Sequence, residues 1–187
     1  LHYAHTLRDA DGGHLGVIHR DVSPHNIFVT AAGYVKLMDF GIAKVGGSTS
    51  KLTQAGQVFG TAPYMSPEQC AGTAVDHRTD IYAVGIMLYE LATGKVPFDA
   101  DNLMGILTKH LYENPIPPHD LPPPVNVPAA LEAVIMQCLA KKPEQRYASM
   151  SELLADVEAI KAGLTPQAVV DQVARNTHAA STASDLD

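Results

Sequence analysis

The chain carries an aspartate, Asp21, an amide, Asn26, and a second aspartate, Asp39, within the stretches HRDVSPHN (19–26) and MDFG (38–41). A positioned carboxylate can accept the proton of an attacking hydroxyl. An amide oxygen and a further carboxylate are hard donors of the kind Mg²⁺ prefers. In this order the trio fits phosphoryl transfer from a magnesium nucleotide, a reaction that asks mainly for positioning and charge neutralisation. Asp21 is then the candidate base, and Asn26 and Asp39 are the candidate metal ligands. Taken singly, Asp21 reads equally as a cap or turn aspartate and Asn26 as a backbone cap.

These residues must be brought together by the elements around them. Ile27-Phe28-Val29 and Tyr34 to Met38 are short apolar runs separated by Ala31-Ala32-Gly33, which predicts a β-hairpin. Such a hairpin sets Asn26 just before one strand and Asp39 just after the other. Residues 1–9 read as the end of a helix, followed by a turn at Asp11-Gly12-Gly13. Residues 42–65 are rich in Gly, Ser and Thr without helical periodicity, and long irregular stretches inside compact domains tend to be functional. A helix is predicted over about 79–93, ended by Gly94. Its apolar residues Ile81, Val84, Ile86, Leu88 and Leu91 go most of the way round, the pattern of a buried helix. Further helices are expected at about 100–112, 129–140 and 149–162, with the proline-rich 115–128 as an extended connector. The expected domain division is 1–163 as one unit and 164–187 as a linker and flexible tail.

At 187 residues and 46% hydrophobic content the chain can bury a real core. A net charge of −7 argues against a nucleic-acid or anionic-membrane partner. The longest apolar run, Ile81 to Ala92, is interrupted by Glu90 and is too short to span a bilayer. Cys70 and Cys138 form no CxxC pair, so reduced thiols and a cytoplasmic location are the expectation. None of the nine histidines shows zinc-ligand spacing. His5, His14, His110 and His119 read as surface or satisfied core residues.

From Leu1 to about Gly163 the chain resembles the C-terminal lobe of the bacterial (eukaryotic-type) serine/threonine protein kinases. The resemblance rests on ordered landmarks: HRDVSPHN at 19–26, DFG at 39–41, GTAPYMSPE at 60–68, DIYAVG at 80–85, LATGKVPF at 91–98 and KKPEQRY at 141–147. It implies an α+β, mainly α-helical lobe with a small β-hairpin at the active site. It also implies that a glycine-rich loop, a strand lysine and a helix glutamate belong upstream. The chain holds no G-x-G-x-x-G and opens on Leu1, so it is read as a piece whose N-terminal lobe is missing.

By the same resemblance Asp21 is the catalytic base, and Asn26 and Asp39 hold Mg²⁺ against ATP. His19 anchors the catalytic loop. Thr61 bonds the catalytic aspartate, Asp80 ties the loop backbone, and Glu68 pairs with Arg146 as a structural ion pair. Arg20 would receive a phosphate placed on the activation loop. Candidates for that phosphate are Thr53, preferred for its position eight residues before Thr61, then Thr49, Ser48 and Ser50. Two residues depart from the family pattern. Ser66 replaces the usual alanine, a mild change. Ser23 replaces a lysine that steadies the transferred phosphate, which removes a charge from the site.

The implied function is an ATP-dependent protein serine/threonine kinase acting on protein hydroxyls, with the fragment alone expected to be inactive. The alternative is a pseudokinase or docking module without catalysis. The joint presence of Asp21, Asn26 and Asp39 argues against it, and Ser23 argues mildly for it. A small-molecule phosphotransferase would share the base and the ligands, but GTAPYMSPE and Arg146 speak against it.

Overall fold

The computed structural model of the chain describes residues 1–40 and 60–184, with side chains to residue 177. Helix α1 (His2–His5) leads through an irregular segment to a 3-10 turn, Pro24–Asn26, and into the hairpin. Strands β1 (Ile27–Val29) and β2 (Val35–Leu37) pair antiparallel with Ile27 opposite Leu37 and Val29 opposite Val35. Gly33, at φ +81°, takes the left-handed turn conformation that a side chain would resist.

Helix α2 (Pro67–Cys70) is a single turn closed by a capping box: the Ser66 hydroxyl accepts from the Gln69 N–H while the Gln69 side chain accepts from the Ser66 N–H. Helix α3 (Arg78–Thr93) is the centre of the molecule and ends on Gly94 in the left-handed conformation at φ 76°. The expected helices on its far side appear as α4 (Leu103–Tyr112), α5 (Ala129–Cys138) and α6 (Met150–Lys161). Asn102 and Ser149 cap α4 and α6 by accepting from backbone N–H groups of the first turn.

Helix α3 is buried because it serves two apolar clusters at once. Ile81 faces Val134, Cys138, Tyr147, Met150 and Leu153, whereas Tyr82, Ile86 and Tyr89 face Phe98, Ile135 and Leu139. Helix α5 lies between the same clusters, and its approach to α3 is close. A Cβ on Gly85 would stand 2.5 Å from the Cys138 Cβ, so only glycine permits this crossing. The proline-rich connector is pinned rather than loose: Tyr89 donates to the Ile116 carbonyl at 2.9 Å, and Glu132 of α5 accepts from the His119 N–H at 3.0 Å.

The segment 164–187, expected as a linker and flexible tail, contains helix α7 (Gln167–Ser184). Its start is docked. Asp156 of α6 accepts from the Gln167 N–H at 2.7 Å and the Ala168 N–H at 2.8 Å, and Tyr147 donates to the same carboxylate at 2.8 Å. No helix among the described residues is long and apolar enough to cross a membrane.

Candidate active site

The site grows from one buried carboxylate. Asp80, in the first turn of α3, is fully buried and accepts from the His19 N–H at 2.8 Å, the Arg20 N–H at 2.8 Å and the His5 Nε2 at 2.7 Å. Gln69 of α2 donates to the Arg20 carbonyl at 2.8 Å. Both backbone polar groups of Arg20 are therefore held by side chains from neighbouring helices. The clamp has something to resist, since Arg20 sits at φ 65°, a conformation that costs a non-glycine residue about 1–3 kcal/mol. The strained turn presents Asp21.

His19 then links this loop to the end of the hairpin. Its ring is buried, accepts from the Asp21 N–H through Nδ1 at 3.3 Å and bonds the Met38 carbonyl through Nε2 at 2.9 Å. The bonding pattern assigns the N–H to Nε2. The Phe40 ring packs on it at 4.6 Å. Asn26 makes the second link: its Nδ2 donates to the Asp21 carbonyl at 2.8 Å, and its own carbonyl accepts from the Met38 N–H at 2.8 Å. Asp39 follows Met38 directly and, at φ 56°, also takes the left-handed conformation that turns the chain out of β2. Side-chain bonds from Asn26 and His19 and one backbone bond thus gather Asp21, Asn26 and the Met38–Asp39 peptide at one edge of the hairpin. With its amide N–H₂ used internally, Asn26 is left an oxygen to offer, and Asp39 a carboxylate.

This donor set fits Mg²⁺. Among the described residues no three or more His, Cys, Asp or Glu side chains gather into a metal cage. Mg²⁺ commonly takes only one or two protein oxygens and completes its shell with water and phosphate.

Thr61 and Asp21 line one small cavity of about 10 Å³ together with Gln69 and Thr79, room for about one water molecule. The 3-10 turn that follows, Ala62–Tyr64, is anchored by Tyr64, whose hydroxyl donates to Glu90 at 2.6 Å. Burial and the Glu90 carboxylate together push the Tyr64 hydroxyl well above its usual range.

Glu68 and Arg146 form a buried two-pronged pair at 2.7 and 2.8 Å. Thr79 adds a 2.6 Å bond to Glu68, and Arg146 also donates to the carbonyls of Ala140, Arg78 and Lys141. Burial alone would raise the Glu68 carboxyl, but the bonds and charge of Arg146, with the Thr79 hydroxyl, outweigh it and hold the group below its ordinary range. Ser23 is fully buried, and its hydroxyl has no hydrogen-bond partner. Ser48, Thr49, Ser50 and Thr53 lie outside the described residues.

Two contributors escaped the reading of the sequence. His5, expected as a surface or satisfied core residue, is the third donor to Asp80. Gln69 was passed over, although S-x-x-Q before a helical turn is a capping-box signature that marks it.

A hairpin edge that offers hard oxygens beside a clamped aspartate is suited to handling a magnesium nucleotide. The chain belongs to the protein kinase domain family, whose model matches residues 6–157. It is similar to a probable serine/threonine-protein kinase of Clostridium acetobutylicum, 47% identical over 146 residues, which are 78% of this chain and 22% of that one. It is similar to the serine/threonine-protein kinase pkn3 of Myxococcus xanthus, 47% identical over 161 residues, 82% of this chain and 29% of the other. Serine/threonine-protein kinase PknB of Mycobacterium tuberculosis is 42% identical over 177 residues, 91% of this chain and 28% of its own. The chain thus spans between 22% and 29% of the length of these curated relatives. The mainly helical lobe with one small hairpin is the architecture expected of that family's C-terminal part.

Proposed function

We propose that this chain is the catalytic lobe of a serine/threonine protein kinase, which moves the γ-phosphoryl group of ATP to a serine or threonine hydroxyl of a protein. Asp21 takes the proton of the attacking hydroxyl. Asn26 and Asp39 hold Mg²⁺, which supplies neutralisation of charge on the phosphates. Thr61 steadies Asp21 from the substrate side, and His19, Arg20 and Asp80 keep the loop in its strained form. The observation that carries this reading is the pair of links joining the site: Asn26 Nδ2 to the Asp21 carbonyl and the Met38 N–H to the Asn26 carbonyl, both 2.8 Å.

The exposed apolar ring of Phe28, beside Asn26 on β1, offers a surface on which a purine could lie. A phosphate on Thr53, or on Thr49, Ser48 or Ser50, would pair with Arg20 and order the activation loop. Residues 1–163 form the kinase part, 164–187 follow it with the first turn of α7 docked on α6, and an upstream lobe in the parent chain completes the cleft.

One observation favours a docking module instead: Ser23 supplies no cation, and its hydroxyl is sealed from the site. A single experiment separates the two. The parent chain and its Asp21→Asn variant are compared for phosphate transfer to themselves and to a generic protein. The kinase reading expects a loss of about 10²–10⁴-fold in the variant. Equal transfer by both, or none by either, leaves the docking reading.

A further inference from the structure

Beneath the 62–64 turn lies a buried imidazole that the scheme above does not use. His110 of α4 is fully buried, with its Nδ1 2.9 Å from the Tyr82 hydroxyl of α3. The Phe98 ring meets it edge-on at 4.9 Å, and Lys141 donates to its backbone carbonyl at 2.8 Å. The other ring nitrogen, Nε2, is buried and makes no hydrogen bond. The backbone carbonyls of Pro63 and Ala62 also bear on the ring. A buried donor or acceptor left unmade costs about 1–3 kcal/mol, so the unpaired Nε2 gains by turning an N–H toward the carbonyls of that turn.

The protonation of the ring follows from its surroundings. Burial first, then the charge of Lys141, lower the His110 imidazole to about 4, against which the two carbonyls pull the other way. The ring is neutral near pH 7 and carries one N–H. The Tyr82 phenol is held well above its usual range by burial, so its proton stays on. Two arrangements remain. If Nδ1 carried the proton, a bare Nε2 lone pair would face carbonyl oxygens, which is repulsive. If Tyr82 donates to Nδ1, the N–H sits on Nε2 and faces them favourably.

We propose that Tyr82 and His110 form a hydrogen-bonded relay that sets the backbone of the Thr61–Met65 turn, making His110 a positioning residue for the protein substrate. The turn is then fixed at both ends and the middle: Thr61 beside Asp21, His110 under Ala62 and Pro63, and Tyr64 on Glu90. The relay touches neither the Asn26–Asp39 edge nor the hairpin, so it governs the hydroxyl-bearing partner and leaves the nucleotide alone. This step rests on the kinase reading for its kinetic consequence.

The test uses the parent kinase carrying His110→Phe, which fills the space without an N–H, or Tyr82→Phe, which keeps every ring but releases the tautomer. Both variants should raise KM for a peptide substrate about three- to tenfold, the loss of one hydrogen bond, with KM for ATP unchanged. Peptide KM equal to wild type, or ATP KM rising in parallel, overturns the proposal. Should His110→Phe fail to fold, Tyr82→Phe carries the comparison. Hydrogen exchange makes failure of the kinase reading distinguishable. The Met65 N–H closes the turn on the Ala62 carbonyl at 3.2 Å, and it should exchange faster in both variants whether or not the protein transfers phosphate. Unchanged protection there refutes the relay in an inactive protein as well.

Discussion

Arg146 reaches back across the chain to Glu68 and spends all its donors on the way, so removing either partner strands a buried charge or a set of carbonyls. Glu68→Ala or Arg146→Met should cost about 3–5 kcal/mol in urea unfolding. The pH dependence gives a sharper reading. The Glu68 carboxyl is depressed in the folded protein relative to its ordinary 4.5. A depressed acid contributes stability that is present above the unfolded value and fades as pH falls through the folded one. Unfolding free energy of the wild type should therefore drop as pH is lowered below about 4.5. In Arg146→Met burial, which raises the group, is opposed only by the Thr79 hydroxyl and the backbone bond at Glu68. The loss of stability with falling pH that this residue contributes should then shrink. Parallel pH profiles in the two proteins would show that the pair does not govern Glu68. The residue types of this site were readable because the short motifs name them in order. His5 was not, because a histidine four residues into a helical fragment gives no hint of an aspartate 75 positions later.

At the scale of elements, the hairpin and the helices α3 to α6 could be read because each announces itself locally. Two apolar runs flank a glycine turn, Gly94 stops α3, and Asn102 and Ser149 start α4 and α6. Helix α7 gives no comparable sign. Its first-turn N–H groups are capped by Asp156, eleven and twelve residues back on another helix, and its apolar content fades after Val173. Only its first residues enter the core, with Ala168 fully buried against the cluster around Tyr147. Asp156→Ala should remove the cap and leave the Tyr147 hydroxyl buried without its acceptor, at a cost of about 1–3 kcal/mol. Hydrogen exchange should locate the damage: amides of Ala168 to Asp171 exchange faster while those in the middle of α3 keep their protection. Uniform acceleration across both helices would mean that Asp156 supports the whole lobe and not the docking of α7.

Among the described residues the chemistry lies on one face of the molecule and is not enclosed. The candidate base and ligands sit at the edge of a hairpin whose outer side leaves Phe28, Val29, Tyr34 and Val35 between 58% and 71% exposed. An apolar hollow of about 360 Å³ opens beneath the same hairpin, lined by Leu1, Val22, Leu37, Val84 and Leu88 among others. Among the described residues, a triphosphate placed against this edge would meet Asn26 and Asp39 on one side and no covering element on the other. Charge stabilisation in such a half-open site is weak, because water screens every interaction that a closed, low-dielectric cleft would strengthen. No glycine-rich loop exists in these 187 residues to cover the phosphates. The chain on its own should therefore bind Mg-ATP weakly and transfer little or no phosphate, whereas a longer chain that adds the proposed upstream lobe should do both. Calorimetric titration with Mg-ATP and a radiolabel transfer assay, run on the two lengths side by side, make the comparison. Matching affinity and turnover in the short chain would mean that the hairpin edge suffices to hold the nucleotide, and that the exposed apolar face serves some purpose other than closing the cleft.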